Sequence, residues 1–198
     1  VLHRYQNNLL IDITGASRAL LDRVELNRSP LIGNQRGCAF ELQCQNLINT
    51  TTWKPPQKMI DFRGRTLRQD GQDVTNIDAI GVQNNNLLIV SCKSIIYDRD
   101  YDRGTYNVIR NAQKTIDVAV KEWKSKVTKL TARPQGDNFN FSEFNEIIGV
   151  VCTPFAVYSS DENTLDFVKP SLRMCSSIQE LIDWLMVNQG SNSVNNHS

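Results

Sequence analysis

The chain has 198 residues, 40% of them hydrophobic, which is enough to bury one sizeable core, so a single globular domain is expected. No apolar run approaches the roughly 20 residues that a bilayer-spanning helix needs, and the longest candidate, Ile147 to Tyr158, is interrupted by Thr153 and Pro154, so a soluble protein is expected. The net charge is +1, and the two histidines, His3 and His197, lie near the chain ends, which removes the usual general base and the usual zinc ligand together. Any chemistry must rest on carboxylates, lysine and a hard metal.

The first residues, Val-Leu-His, carry neither a charged-then-apolar leader nor a small-residue cleavage pattern, and the chain reads as a domain cut from a longer protein. Residues 1–30 read as an N-terminal extension joining a missing upstream domain, with a short strand over Leu9 to Ile13 and a helix over Ser17 to Leu26. From Gly37 to Asn49 apolar residues recur at helical spacing, and Pro55-Pro56 stops any helix. Residues 57–68 are predicted as a strand and Gln69 to Gln72 as a turn. The stretch from Ile77 to Ser94 divides at Gln83-Asn84-Asn85-Asn86 into two β-rich runs, a hairpin with a loop of about four residues. Ile109, Ala112, Ile116, Ala119, Val120, Trp123, Val127 and Leu130 then form one apolar stripe of a long helix, ended at Pro134. Glu146 to Ala156 reads as a central strand covered on both faces, and Ser177 to Val187 as a final amphipathic helix before a disordered tail over 188–198. The predicted class is α/β, a mixed central sheet flanked by helices in the order α-β-β-β-α-β-α.

Five cysteines, Cys38, Cys44, Cys92, Cys152 and Cys175, each in apolar surroundings and without CxxC spacing, predict free buried thiols in a reducing, cytoplasmic compartment. The charge is segregated. Residues 99–133 hold nine basic residues against four acidic ones, and residues 134–198 hold two against eight, which implies one basic face, although a solvated helix surface has the same composition.

With the loop at 83–86, an antiparallel register pairs 82 with 87, 80 with 89 and 78 with 91. Asp78 and Ser91 then face each other, roughly 5 Å apart at their β-carbons. Side chains alternate along a strand, so Lys93 joins them and Cys92 points the other way. The alternative is a surface hairpin with a chance acid–lysine pair. Glu41 falls inside the apolar arc of its helix, near Cys38, Cys44 and Ile48, where a carboxylate is costly unless a cation or a metal receives it. A buried structural salt bridge, for example to Lys93, would serve; so would a site that gathers Glu41, Asp78 and Lys93.

The pattern Gly37-x-x-Phe40-Glu41, Asn76-Ile77-Asp78, then an apolar strand ending Ser91-Cys92-Lys93 and a long helix, resembles the PD-(D/E)xK superfamily of restriction-endonuclease-like nucleases. The likeness is greatest to Mrr-like restriction enzymes and the nuclease domains of CRISPR ancillary effectors, and it covers roughly residues 36–156. It implies a restriction-endonuclease-like core over a domain of residues 31–187 and hydrolysis of nucleic-acid phosphodiesters, DNA favoured over RNA, with Mg²⁺ or Mn²⁺. By the same resemblance Asp78 is the central metal ligand, the Cys92 backbone carbonyl a second, and Glu41 a ligand directly or through water, while Lys93 orients or helps deprotonate the attacking water and stabilises the developing charge. The family's second acid falls at Ser91, which supplies no charge and holds metal only through a water; Glu41 or Asp73 is the candidate compensator. In this fold the long helix starts near the site, so Tyr106, Arg110, Gln113 and Lys114 are candidate nucleic-acid contacts, or ordinary exposed polar residues. A role in restriction or phage defence, as a homodimer or linked to a sensing or recognition domain, is the expected setting. A catalytically inactive module that binds nucleic acid or a protein partner is the alternative.

Overall fold

Two turns, each of two residues with positive φ, set the registers of the central hairpins. The computed structural model of the chain describes residues 2–5, 8–11, 30–96, 99–157 and 166–187. Asp70 and Gly71, with φ of 52° and 73°, join β3 (Thr66–Gln69) to β4 (Gln72–Asn76); Asn84 and Asn85, at 48° and 62°, join β5 (Ala79–Gln83) to β6 (Asn86–Cys92). Asp, Asn and Gly tolerate the left-handed region, and such two-residue turns match the right-handed twist of their strands. The second turn is two residues rather than four, because Gln83 and Asn86 are themselves paired. The predicted register is unaffected: Val82 faces Leu87 and Ile80 faces Ile89.

Four strands form the central sheet in the order β10-β7-β6-β5, where β7 is Glu146–Thr153 and β10 is Cys175–Ser177. β5 and β6 are antiparallel, whereas β6–β7 and β7–β10 are parallel. The β6-to-β7 crossover is a 27-residue helix, α4 (Tyr106–Ala132), preceded by a single turn, α3 (Arg99–Asp102). The architecture is mixed α/β, with a mixed central sheet and helices on its flanks.

Strand alternation sends the chain's apolar residues to two cores. Leu87 and Ile89 pack with Ile116, Val120, Trp123 and Leu130 of α4, the middle and C-terminal part of the expected stripe. Leu88, Val90 and Cys92 face the other way, against Phe40, Cys44 and Ile48 of α1 (Pro30–Asn49) and Leu181, Trp184 and Leu185 of α5 (Ile178–Val187). β7 is buried along almost its whole length, as expected of a strand covered on both faces.

Several boundaries differ from expectation. α1 is helical already from Pro30, well before the expected Gly37. Residues 57–68 are not one strand: Gln57–Ile60 is a helical turn, α2, anchored by the buried Met59, and β3 begins only at Thr66. β4, β8 (Phe167–Lys169), β9 (Leu172–Arg173) and β10 were not anticipated, since two to five residues carry too little periodicity. Near the N-terminus β1 (Leu2–Tyr5) pairs antiparallel with β2 (Asn8–Ile11), so the part of the expected strand at 9–13 that lies among the described residues is a strand and has a partner. The expected helix at 17–26 and the tail at 188–198 lie outside the described residues. Four cysteines are buried and free, but Cys38 is exposed, contrary to the expectation for all five. No helix among the described residues is long and apolar enough to cross a membrane.

Candidate active site

The β5–β6 ladder ends at the pair Ala79–Val90, and Asp78 is a bend just outside it. Its backbone N–H still donates to the Val90 carbonyl at 3.0 Å. Beyond that point the strand no longer offers Cys92 a backbone acceptor, and the side chain takes over: the Cys92 N–H donates to Oδ2 of Asp78 at 2.7 Å. Arg63 Nε donates to the Asp78 carbonyl at 2.7 Å. Asp78 is thus held at its N–H, its carbonyl and its carboxylate, which leaves the carboxylate little rotational freedom.

Ser91 and Lys93 share the α4-facing side of β6 with Leu87 and Ile89, as alternation requires. Together with Asp78 they line an open cleft of about 460 Å³, also bordered by Asp73, Asn76 and Lys126. Ser91 is buried and lines the same cleft as Asp78, where its hydroxyl holds the Asp78 carboxyl lower, so the expected facing of these residues is realised although Asp78 is outside the ladder. Lys93 is half-buried, and its N–H donates to the Cys152 carbonyl of β7 at 2.8 Å.

Glu41 reaches this end of the sheet from the opposite face. Phe40, Cys44 and Ile48 bury the inner side of α1, which leaves Glu41 half-buried beside them. Burial raises its carboxyl above the ordinary glutamate value, and the charge of Asp78 raises it further, against the lowering influence of Arg63 and Lys93. Burial also raises Asp78, opposed by the Cys92 N–H, the Lys93 charge and the Ser91 hydroxyl. Glu41, Asp78 and Lys93 are therefore electrostatically coupled, although Glu41 does not line the cleft that holds the other two.

Two residues escaped the sequence reading. Arg63 lies in the segment misread as a strand, and nothing local marks it. Lys126 did carry a signal. It is three residues beyond Trp123 and four before Leu130, which places it at the edge of the apolar arc of α4, half-buried at the border of the helix's packed face. By contrast, Tyr106, Arg110, Gln113 and Lys114 do not line the cleft. Lys126 does, and it stands twenty residues beyond Tyr106, about 30 Å along the helix axis. There the Arg110 guanidinium stacks 5.5 Å from the Tyr106 ring centroid. The Cys92 thiol turns away, into the core with Cys44 and Cys152; hydrogen bonding to Cys44 and burial hold Cys92 and Cys152 above the ordinary thiol value, so both stay protonated.

Among the described residues no three His, Cys, Asp or Glu side chains converge as a preformed metal cage. Mg²⁺ does not require one: it binds through one or two carboxylates, keeps several waters and is completed by substrate phosphate. Asp78, with one oxygen committed to Cys92, and Glu41 suit that minimal mode, with Ser91 placed for a water and the Cys92 carbonyl at the same strand end. Asp73 borders the cleft too, but its carboxylate is paired with Arg68 at 3.0 Å. Comparison of the chain with protein-family models, with curated proteins and with solved structures returned no match.

Proposed function

We propose that the chain is a metal-dependent nuclease with a restriction-endonuclease-like core, hydrolysing nucleic-acid phosphodiesters and favouring DNA, in a protein of restriction or phage defence. The observation that carries this reading is the juxtaposition of Asp78 and Lys93 in one open cleft, with the Asp78 carboxylate immobilised by Cys92 and coupled in charge to Glu41. Mg²⁺ or Mn²⁺ bound there would activate a water and neutralise charge on the phosphoryl oxygens. The chain's own groups do the rest. Asp78 and Glu41 present carboxylates whose raised proton affinity makes them responsive to an incoming cation. The Lys93 ammonium stands where it can hold a water by hydrogen bond and offset negative charge on a phosphate, while Lys126 on the facing wall adds a second cation.

A second reading, an inactive module that binds nucleic acid or a partner, is favoured by Ser91 in the acid position. With Arg63 and Lys93 beside Glu41 and Asp78, positive and negative charges balance, and little net attraction for a divalent cation remains. The two readings part on cleavage of plasmid, single-stranded DNA and RNA in Mg²⁺ and separately in Mn²⁺. The active reading expects Asp78→Ala and Lys93→Ala each to lower the rate by about 10²-fold or more. Cleavage that survives both substitutions would remove the site assignment, and no cleavage of any substrate would favour the binding module.

A further inference from the structure

The cleft at Asp78 does not stop at Lys126. A second cavity, of about 530 Å³, adjoins it and shares Asp73, Val74 and Lys126 with it, so the two form one trough between the β3–β4 hairpin and α4. We propose that this trough is the track of a single nucleic-acid strand, held through its phosphates by Lys121, Lys126 and Lys129 and led to Asp78 and Lys93 at its open end; the proposal deepens the nuclease reading and rests on it for the identity of the anion.

The charges of the trough are set up for an anionic occupant. Its two hairpin acids are already neutralised from outside: Asp70 pairs with Arg133 in a two-pronged contact, and Asp73 pairs with Arg68. Lys121, Lys126 and Lys129 project from the helix wall and make no ion pair among the described residues, against two remaining acids of the lining, Glu122 beside them and Asp78 at the open end. Lys121 and Lys129 are eight residues apart, about 12 Å along the axis, with Lys126 between them, so the cations run along the trough and do not cluster at a point.

The shape selects one strand over two. The hairpin tip is fastened to the end of α4: Gln69 Nε2 donates to the Arg133 carbonyl at 2.7 Å, Arg133 grips Asp70, and Asp137 accepts from the N–H groups of Asp70 and Gly71 at 3.1 and 2.8 Å. This clasp closes the end of the trough remote from Asp78. A duplex, stiff over a persistence length of about 50 nm, would have to bend sharply to enter a slot walled on two sides and closed at one end. A single strand is flexible enough to lie in it and leave over the rim.

Fluorescence anisotropy tests the proposal, on the full chain carrying Asp78→Asn so that cleavage does not intervene. The probes are a short labelled single-stranded oligodeoxynucleotide, its RNA counterpart and the corresponding duplex, each over a range of salt. The expected result is that Lys121→Ala/Lys126→Ala/Lys129→Ala weakens single-strand binding about tenfold or more and lowers the salt slope by about 2, whereas Lys124→Ala, on the same helix but paired with Asp166, changes neither. A triple variant that binds like its parent, a duplex that binds more tightly than the single strand, or a parent that binds no nucleic acid at low salt would each overturn the track. Failure of the nuclease reading is distinguishable: it would leave lysine-dependent binding in a chain that cuts nothing, whereas an active nuclease whose binding ignores these lysines would remove the track alone.

Discussion

The carboxylate of Asp78 accepts a 2.7 Å hydrogen bond from the backbone N–H of Cys92. A side chain of one strand end thus completes the backbone of the next, and a carboxylate that would otherwise swing through the cleft is fixed beside Ser91 and Lys93. The same bond ties the site to the fold, because Cys92 is the last residue of β6 and its thiol is packed in the core beneath α1.

Burial of this carboxylate makes a prediction about pH. The folded chain binds the Asp78 proton more tightly than the unfolded chain does, so the contribution of this group to stability is full below the ordinary aspartate range and is lost as pH rises through the raised value. Asp78→Asn keeps an acceptor for Cys92 and removes the charge. It is expected to raise the melting temperature at neutral pH by about 2–4 °C, the shift made by about 1 kcal/mol in a domain of this size, to flatten the loss of stability between acid and neutral pH, and to abolish cleavage. Scanning calorimetry at several pH values reads the first two effects; an Asn variant that melts below wild type at neutral pH would show that the carboxylate is a net stabiliser.

Ser91 sets the second prediction. It is buried and lines the same cleft as Asp78, so Ser91→Glu brings a like charge against that carboxylate. Without metal the variant should melt lower than wild type, and Mg²⁺ should raise its melting temperature by more than it raises that of wild type, with cleavage saturating at lower Mg²⁺. Titrations followed by thermal melts and by cleavage measure both, and an unchanged metal dependence would mean that position 91 does not face the metal.

Gly149 tests how closely α4 must lie on the sheet. A β-carbon at this position of β7 would stand 2.2 Å from Val127 Cγ2 and 3.2 Å from Trp123 Nε1. Gly149→Ala is expected to destabilise the fold by about 1–3 kcal/mol through overpacking. Because Lys126 neighbours Val127, the variant should also weaken any binding that uses the trough. Val127→Ala in the same chain should recover part of the stability, and a double variant no more stable than Gly149→Ala alone would place the strain elsewhere.

The hairpin register was legible because it rests on local chemistry: Asn84 and Asn85 accept positive φ, and the apolar run from Leu87 to Val90 has no second way to alternate. The long helix was legible for the same kind of reason, its stripe being long enough to define a face. Arg63 was not, since its role depends on an Nε-to-carbonyl bond to a residue fifteen positions further along the chain. Lys126 was marked only by its place at the edge of an apolar arc, and the marker does not say what that edge faces. Tyr106 and Arg110 do not line the cleft that holds Asp78 and Lys93, a relation that helix length alone does not give because it leaves the position of the helix on the sheet open.

What the sequence by itself determined is therefore the set of groups that share the β6 tip, Asp78, Ser91 and Lys93, because alternation and turn chemistry act between near neighbours. Only the tertiary structure decided that Glu41 approaches from the opposite face of the sheet, that Arg63 holds the Asp78 carbonyl, and that the hairpin tip is clasped to the end of α4 by Arg133 and Asp70. Those relationships depend on how distant elements pack, and that is settled by burying two apolar cores at once, a constraint that no single stretch of chain contains.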